Sequence, residues 1–244
     1  MWWLIGVEYA LAVVTYVALR FITAPYGRFR RPGWGPTMGA RLGWVVMEAP
    51  SAVLFATLFA LGPHRAQLAP LVLLAMWELH YAYRAFVYPF LSHGGEMPIL
   101  VVALGVLFNL LNASINARWV AAVGQYPTGW LADPRFLVGV VVFVTGFLIN
   151  VTADRTLRRL RGPGETGYKV PTGGLYRYVS SPNYFGEIVE WSGWALATWS
   201  PAGLAFALYT FANLAPRGLD HHAWYRRQFP GYPAERRALI PFVW

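Results

Sequence analysis

The chain contains no cysteine among its 244 residues. This absence excludes disulfide bonds, thiolate nucleophiles and cysteine-ligated metals. Charged residues are also scarce, at 13% of the chain, whereas 57% of the residues are hydrophobic. A soluble domain carries more charge and less apolar surface, so this composition indicates an integral membrane protein.

Three further absences argue against a particular fold, a targeting segment and a kind of site. No Gly-x-Gly-x-x-Gly motif follows a strand-like run, so we expect no soluble dinucleotide-binding fold. The N-terminus lacks a basic region and a small-residue cleavage pattern, and is predicted to be a first spanning helix rather than a signal peptide. We expect no metal, because the histidines show no metal-ligand spacing; they are His64, His80, His93, His221 and His222.

Seven apolar segments approach the length of about 20 residues that crosses a bilayer. The last two are short and separated only by Ser200-Pro201, which leaves open a tight hairpin or one broken element. The length of the chain predicts a single compact unit. The segments are about 3–22, 43–62, 67–91, 98–117, 136–153, 185–200 and 202–216.

The basic residues are distributed very unevenly around these segments. Sixteen of the 20 lie in 20–41, 154–184 and the tail after 216, whereas Arg65, Arg118 and Arg135 lie on the other side. This bias places the N-terminus outside and the C-terminus in the cytoplasm, which requires an odd number of spans. The net charge of +9 is explained by contact with anionic lipid headgroups rather than nucleic acid. We therefore predict an all-α integral membrane protein with seven transmembrane helices.

The most informative stretch runs from Pro171 to Trp199. Ser181-Pro182 is a typical helix start, and Asn183, Glu187 and Glu190 then share one helical face. A helix N-terminus beside arginines suits an anion such as a phosphate. The alternative is that these side chains are only caps and interhelical contacts, and it stays open above all for Glu190. The Gly/Pro-rich loop 162–174 is either a lid over a ligand or a flexible linker.

Polar side chains also occur inside the second and third segments. Glu78, Tyr81, Arg84 and Tyr88 follow at spacings of three, three and four, which predicts one helical face. Glu48 and Arg84 could neutralise each other, and His80 is best read as a hydrogen-bonded core residue. A protonated Glu48 and the Tyr81 phenol could instead both donate to a carbonyl oxygen. With arginines available for a phosphorylated cofactor, this pattern favours reduction of an apolar enone or carbonyl by a nicotinamide.

Several stretches resemble the steroid 5-alpha-reductase family. They are GGLYRYVSSPNYFGEIVEWSGWALATWS, HHAWYRRQF and GYPAERRALIPFVW towards the C-terminus, with MEAPS at 47–51 and LHYAYRAFVYP at 79–89 upstream. The resemblance is long and specific from about residue 150 to 244 and patchier before that.

The resemblance implies a seven-helix membrane enzyme that uses NADPH to reduce the 4,5 double bond of 3-oxo-4-ene steroids. Glu48 and Tyr81 would hydrogen-bond the 3-keto oxygen, and Trp44 would line the substrate pocket. Hydride would pass to C5, and C4 would then take a proton. The single domain, 1–244, would comprise substrate and catalytic helices over about 1–130 and NADPH-binding helices, loops and cytoplasmic tail over about 135–244.

The residues that the resemblance assigns to NADPH surround the predicted phosphate site on the cytoplasmic side. Two positions depart from the family pattern: Met47 replaces a glutamine before the catalytic acid, and the loop 92–97 lacks basic residues. The Arg-rich, cysteine-free composition favours a bacterial inner membrane. The cofactor residues are Arg84, Asn150, Asp154, Arg161, Tyr168, Asn183, Glu187, Arg217, His221, Tyr225 and Arg236.

Three alternatives remain at this point. A related membrane sterol or enoyl reductase would keep the chemistry and act on a non-steroid lipid. An S-adenosylmethionine-dependent membrane methyltransferase shares a similar C-terminal pattern, but here Ser-Ser-Pro-Asn-Tyr replaces its Arg-His-Pro-x-Tyr. A non-enzymatic lipid-binding protein would leave the intramembrane carboxylates without a role.

Overall fold

The computed structural model describes residues 1–92, 94–160, 162, 165 and 167–244. Helices, with 3-10 and π turns counted, account for 72% of the residues that the structure describes, which confirms the all-α prediction. The helices are α1 (Trp2–Phe21), α2 (Ala40–Leu61), α3 (Leu68–Ala82), α4 (Tyr88–Leu91), α5 (Ile99–Arg118), α6 (Pro134–Arg159), α7 (Pro182–Thr198) and α8 (Pro201–Gln228).

Each of the seven predicted apolar segments coincides with helix. Among the described residues, four helices are long and apolar enough to cross a membrane: Trp2–Phe21, Ala40–Leu61, Ile99–Val123 and Pro134–Arg159. Helix α7 has only 17 residues, and the third segment is divided between α3 and α4. Length and composition therefore support four spans directly, and the other three crossings stay a prediction.

The third segment is interrupted by a π-helical turn, Tyr83–Val87, between α3 and α4. A π turn adds a residue to the helical repeat and is often found at functional sites. Glu78 and Tyr81 of the predicted helical face lie in α3, whereas Arg84 lies in the π turn and Tyr88 begins α4. Arg84 and Tyr88 still meet, because the Arg84 guanidinium lies 4.4 Å from the centre of the Tyr88 ring.

Helices α6 and α7 are antiparallel and unusually close. A Cβ atom added at Gly146 would collide with the backbone nitrogen of Glu190, and one added at Gly186 would lie 2.5 Å from that of Asn150. Gly139 and Gly193 make equivalent backbone contacts with the partner helix. Small residues permit this approach, and it brings the polar start of α7 against the end of α6.

The centre of the bundle is an aromatic cluster that joins α2, α3, α7 and α8. The Trp77 ring lies 4.5 Å from Phe55, 5.4 Å from Trp191 and 5.3 Å from Trp194, and Phe206 from α8 packs 5.6 Å away. These side chains are buried. Their packing holds the polar residues of α3 beside those of α7.

Two connections decide how the ends of the helices meet. Trp199 takes a left-handed conformation with φ of 43°, and the Ser200 hydroxyl caps α8 by accepting from Gly203 N at 2.8 Å. The last two segments therefore form a tight hairpin. The short strands β1 (Thr37–Gly39) and β2 (Glu96–Pro98) pair antiparallel, a feature that the sequence did not reveal.

Candidate active site

Glu48 and Tyr81 are joined by a third residue, Asn109 of α5. The Asn109 amide donates to Oε2 of Glu48 at 3.3 Å and to the Met47 carbonyl at 2.7 Å. The Tyr81 hydroxyl points to Oδ1 of Asn109 over a longer distance, 3.5 Å. The structure thus brings together the two predicted catalytic residues and adds Asn109, which the sequence analysis missed.

Trp44 lies one helical turn before Glu48 on α2 and faces the same region. Its ring meets that of Tyr88 edge to face at 5.7 Å, and the guanidinium of Arg84 lies 4.9 Å from its centre. Trp44, the predicted substrate residue, therefore lies one turn from Glu48 and in contact with Arg84, a predicted cofactor residue.

Arg84 is buried and forms an ion pair with Asp154 of α6, Nη1 to Oδ2, at 3.4 Å. The other carboxylate oxygen of Asp154 accepts from Nδ2 of Asn183 at 3.1 Å. Among the described residues, the carboxylate within ion-pair distance of Arg84 is that of Asp154. The Glu48–Arg84 pair considered from the sequence is therefore not the arrangement found.

Asn150 completes this polar group by linking α6 to α7. Its amide donates to the Asn183 carbonyl at 3.0 Å and to Oε2 of Glu187 at 3.3 Å. The close approach at Gly186 makes both contacts possible, because α7 begins against this part of α6. Five predicted cofactor residues thus form one connected network: Arg84, Asn150, Asp154, Asn183 and Glu187.

Glu190 is separate from this network, although it shares a helical face with Asn183 and Glu187. Its Oε1 lies 2.8 Å from Nδ1 of His80, and both side chains are buried. His80 is therefore a hydrogen-bonded core residue, as expected from the sequence. Glu190 therefore makes an interhelical contact with α3, which is the structural alternative that the sequence left open for it.

A second cluster surrounds a cavity of about 70 Å³ between α7, α8 and the loop after α1. Arg217 donates from Nη2 to the Tyr184 hydroxyl at 2.9 Å, and that hydroxyl lies 3.4 Å from Nε2 of His221. Tyr26 and Arg28 line the same cavity. Tyr26, Arg28 and Tyr184 were not predicted as site residues. The aromatic and basic run from Tyr26 to Arg31 was the available signal for the first two, and the Ser-Ser-Pro-Asn-Tyr stretch was the signal for Tyr184.

Tyr168 and Tyr225 meet around Arg28. The guanidinium of Arg28 lies 5.2 Å from the Tyr168 ring and 4.6 Å from that of Trp224, and it donates to the Tyr225 hydroxyl at 3.1 Å. The loop 162–174 therefore reaches the end of α8 through Tyr168. Arg161 and part of that loop lie outside the described residues.

Arg236 is buried near the C-terminus, with its guanidinium 5.1 Å from the Tyr232 ring. Its Nε and Nη1 atoms have no hydrogen-bond partner in the part of the chain that the structure describes. Unused donors on a buried cation are the feature that an anionic ligand would satisfy.

The sequence is similar to known proteins over most of its length. A sequence model described as 3-oxo-5-alpha-steroid 4-dehydrogenase matches residues 95–244. The chain is 46% identical to 3-oxo-5-alpha-steroid 4-dehydrogenase 1 of Bos taurus, over 97% of this chain and 94% of that protein. It is 45% identical to steroid 5-alpha-reductase DET2 of Arabidopsis thaliana, over 94% of this chain and 91% of that protein. The chain belongs to the steroid 5-alpha-reductase family.

Members of the steroid 5-alpha-reductase family are oxidoreductases that act on a CH–CH group of a steroid. The match to the family model contains α6, α7, α8 and therefore most of the polar network, whereas Glu48 and Tyr81 precede it. The similarity to the bovine and plant relatives extends over 97% and 94% of this chain.

Proposed function

We propose that the protein uses NADPH to reduce the 4,5 double bond of 3-oxo-4-ene steroids, giving 5α-reduced 3-oxo steroids. The single observation that best supports this proposal is the Glu48–Asn109–Tyr81 group, inside a helical bundle and adjoining the buried Arg84. A carboxyl and a phenol held side by side can both donate to one carbonyl oxygen, provided that the carboxyl is protonated.

In this proposal the substrate ketone is bound by Glu48 and Tyr81. Negative charge grows on the ketone oxygen during reduction, so hydrogen bonds from these residues stabilise the transition state more than the ground state. Asn109 is a positioning residue because its amide engages Oε2 of Glu48 and leaves Oε1 for the substrate. Trp44 supplies an apolar wall beside the ring system.

The residues present fit a phosphorylated dinucleotide. Arg236 carries unused buried donors, and Arg217 borders the cavity together with His221. We assign Arg161, Arg217 and Arg236 to phosphates, and the network of Asn150, Asn183 and Glu187 to the amide and ribose groups. Asp154 and Arg84 hold the side chains of that network in position. Tyr168 and Tyr225, which both contact Arg28, would cover the bound cofactor. When bound, NADPH supplies a hydride, which we place at C5, and C4 takes a proton. The number of arginines favours NADPH over NADH.

We further propose seven membrane crossings, with the N-terminus outside and the C-terminus in the cytoplasm. The four long apolar helices and the distribution of arginines support this arrangement. Residues of about 1–130 would form the substrate and catalytic part of the single domain, and those of about 135–244 the cofactor part. The cofactor site would face the cytoplasm, in a bacterial inner membrane, with the steroid arriving through the lipid.

The test is NADPH oxidation by detergent-purified protein, with and without progesterone or testosterone, followed by identification of the product. A 5α-reduced product is expected. Binding of NADPH without turnover of any 3-oxo-4-ene steroid would indicate that the substrate is another apolar enone. Binding of S-adenosylmethionine in place of NADPH would overturn the proposal.

The Glu48→Gln variant tests the assigned chemistry. We expect kcat to fall by about 100-fold or more, because one donor to the ketone is weakened, while the Kd for NADPH stays within about twofold. A parallel loss of NADPH affinity would contradict the role given to Glu48.

A further inference from the structure

Glu8 of α1 is a fully buried carboxyl whose role the proposed reaction does not explain. Neither of its oxygens has a hydrogen-bond partner among the residues that the structure describes. A buried polar group left without a partner is costly, and an ionisable residue within a spanning helix is a candidate functional site.

Asn112 of α5 presents the complementary group. Trp194 donates from Nε1 to Oδ1 of Asn116 at 2.9 Å, and Asn116 donates in turn to Oδ1 of Asn112 at 2.7 Å. These two hydrogen bonds fix the orientation of the Asn112 amide. Its Nδ2 is buried and remains an unused donor with respect to the described residues.

The two groups lie at the same depth in the bundle. Trp2, at the start of α1, meets Trp119, directly after α5, with ring centres 5.5 Å apart, so these helices are antiparallel and share that end. Glu8 is six residues from Trp2, about 9 Å along α1, and Asn112 is seven residues from Trp119, about 10 Å along α5. Ile5 and Ile115 pack in one cluster between the helices.

This level is next to the proposed ketone site. Asn109 and Asn112 are three residues apart on α5, so they occupy successive turns of one face. Phe108 of α5 and Tyr209 of α8 stack where these two helices meet, with ring centres 3.6 Å apart.

We propose that Glu8 and Asn112 bind a hydroxyl group at the end of the substrate opposite its ketone. A hydroxyl donates one hydrogen bond and accepts others. One substrate hydroxyl can therefore donate to the Glu8 carboxyl and accept from Nδ2 of Asn112 at the same time. An apolar ring skeleton would cross the aromatic surface of Phe108 and Tyr209. The inference rests on the proposed function for the identity of the substrate, and it makes Glu8 a specificity-determining residue.

Access to this site requires α1 to move away from α5 and α8. Of the four helices long enough to span a membrane, α1 is the least buried by the rest of the protein. An element with few buried contacts separates at the lowest free-energy cost. Binding of the hydroxyl would then fix α1 against the bundle through Glu8.

The test compares testosterone with androst-4-en-3-one, which lacks the 17β-hydroxyl and is otherwise the same. We expect the wild-type KM to be about tenfold lower for testosterone, the effect of one hydrogen bond to a buried charged or acidic group. Glu8→Leu should bring this ratio close to one and leave the KM for androst-4-en-3-one unchanged. Asn112→Leu should reduce the ratio in the same direction.

Glu78→Leu is the matched control, because Glu78 of α3 is also a carboxyl with an oxygen that lacks a partner among the described residues. It should keep the wild-type ratio. An unchanged ratio in Glu8→Leu, or an equal change in Glu78→Leu, would overturn the inference. If Glu8→Leu does not fold, Glu8→Gln keeps the shape of the side chain and should lower the ratio about threefold.

A binding measurement separates this inference from the proposed reaction. The saturated alcohol 5α-androstan-17β-ol has no ketone, and its effect on the thermal unfolding of the full chain needs no turnover. Stabilisation of the wild type but not of Glu8→Leu would support the hydroxyl site even if neither enone were reduced. Equal stabilisation of both proteins would show that Glu8 does not bind the hydroxyl.

Discussion

Nδ1 of His80 lies 2.8 Å from Oε1 of Glu190, and both side chains are buried in the centre of the bundle. The pair connects α3, which carries Tyr81, to α7, which carries Asn183 and Glu187. Because the His80 ring also packs 4.6 Å from Trp191, its position is fixed from two directions. The substrate and cofactor parts of the proposed site are thus held together by a direct polar contact.

Breaking this pair should destabilise the protein. His80→Leu and Glu190→Leu each leave one buried polar group without its partner, which costs about 1–3 kcal/mol. The double variant should recover most of that loss, since no polar group is then left unsatisfied. Unfolding of the purified protein in detergent, with a double-mutant cycle, measures the coupling. Losses that simply add would show that the two residues do not act as a pair.

Asn109→Leu should impair catalysis without affecting the cofactor. The substitution removes the amide that engages Glu48 and lies next to the Tyr81 hydroxyl, so both donors lose their alignment. We expect kcat to fall by about tenfold to 100-fold, with the Kd for NADPH unchanged. In the Glu48→Gln background the further loss should be much smaller, because the residue to be positioned is already altered. Full additivity would argue against a positioning role.

Arg84→Met should weaken NADPH binding by about tenfold or more. It removes a buried cation and leaves Asp154 without its ion-pair partner next to Asn183, which disturbs the network proposed to bind the cofactor. Isothermal titration with NADPH measures the effect.

Arg135→Met is the matched control for Arg84→Met. Arg135 also pairs with an aspartate, Asp133, at 2.8 Å and also lies over a tryptophan, with its guanidinium 4.7 Å from the Trp130 ring. It stands at the start of α6, at the opposite end of that helix from Asp154. An equal loss of affinity in both variants would mean that Arg84 has no specific connection to the cofactor site.

Gly146→Ala should destabilise the protein by about 1–3 kcal/mol, because the added methyl group collides with the backbone of Glu190 and forces α6 and α7 apart. Gly6→Ala is the control: Gly6 is also helical, but an added Cβ there meets nothing within 4 Å. Thermal unfolding should show a lower midpoint for Gly146→Ala and no decrease for Gly6→Ala. A tolerated alanine at Gly146 would contradict the close packing of these helices.

The sequence predicted those features of the fold that depend on residues close together along the chain. The start of α7 at Pro182 and the positions of all seven apolar segments follow from composition, spacing and a proline. Contacts between distant segments were not predictable in this way. Asn109 meets Glu48 across 61 residues, and an isolated asparagine in an apolar helix gives no local signal for that.

The charged partners show the same limit. Glu190 shares a helical face with Glu187, yet its partner His80 lies 110 residues away. A pairing of Arg84 with Glu48 was one of the alternatives left open by the sequence, whereas the carboxylate that pairs with Arg84 is that of Asp154 on α6. Periodicity places side chains on a face of one helix; which helix packs against that face decides their chemistry.

The π turn at Tyr83–Val87 makes the length of this segment as important as its composition. A regular helix advances about 100° per residue, so deleting one residue from this turn would rotate everything after it by roughly that angle. Tyr88 would then leave the ring of Trp44, which it meets at 5.7 Å, although no hydrophobic residue had been replaced by a polar one. In an alignment of natural sequences, gaps should therefore be rarer within this turn than substitutions.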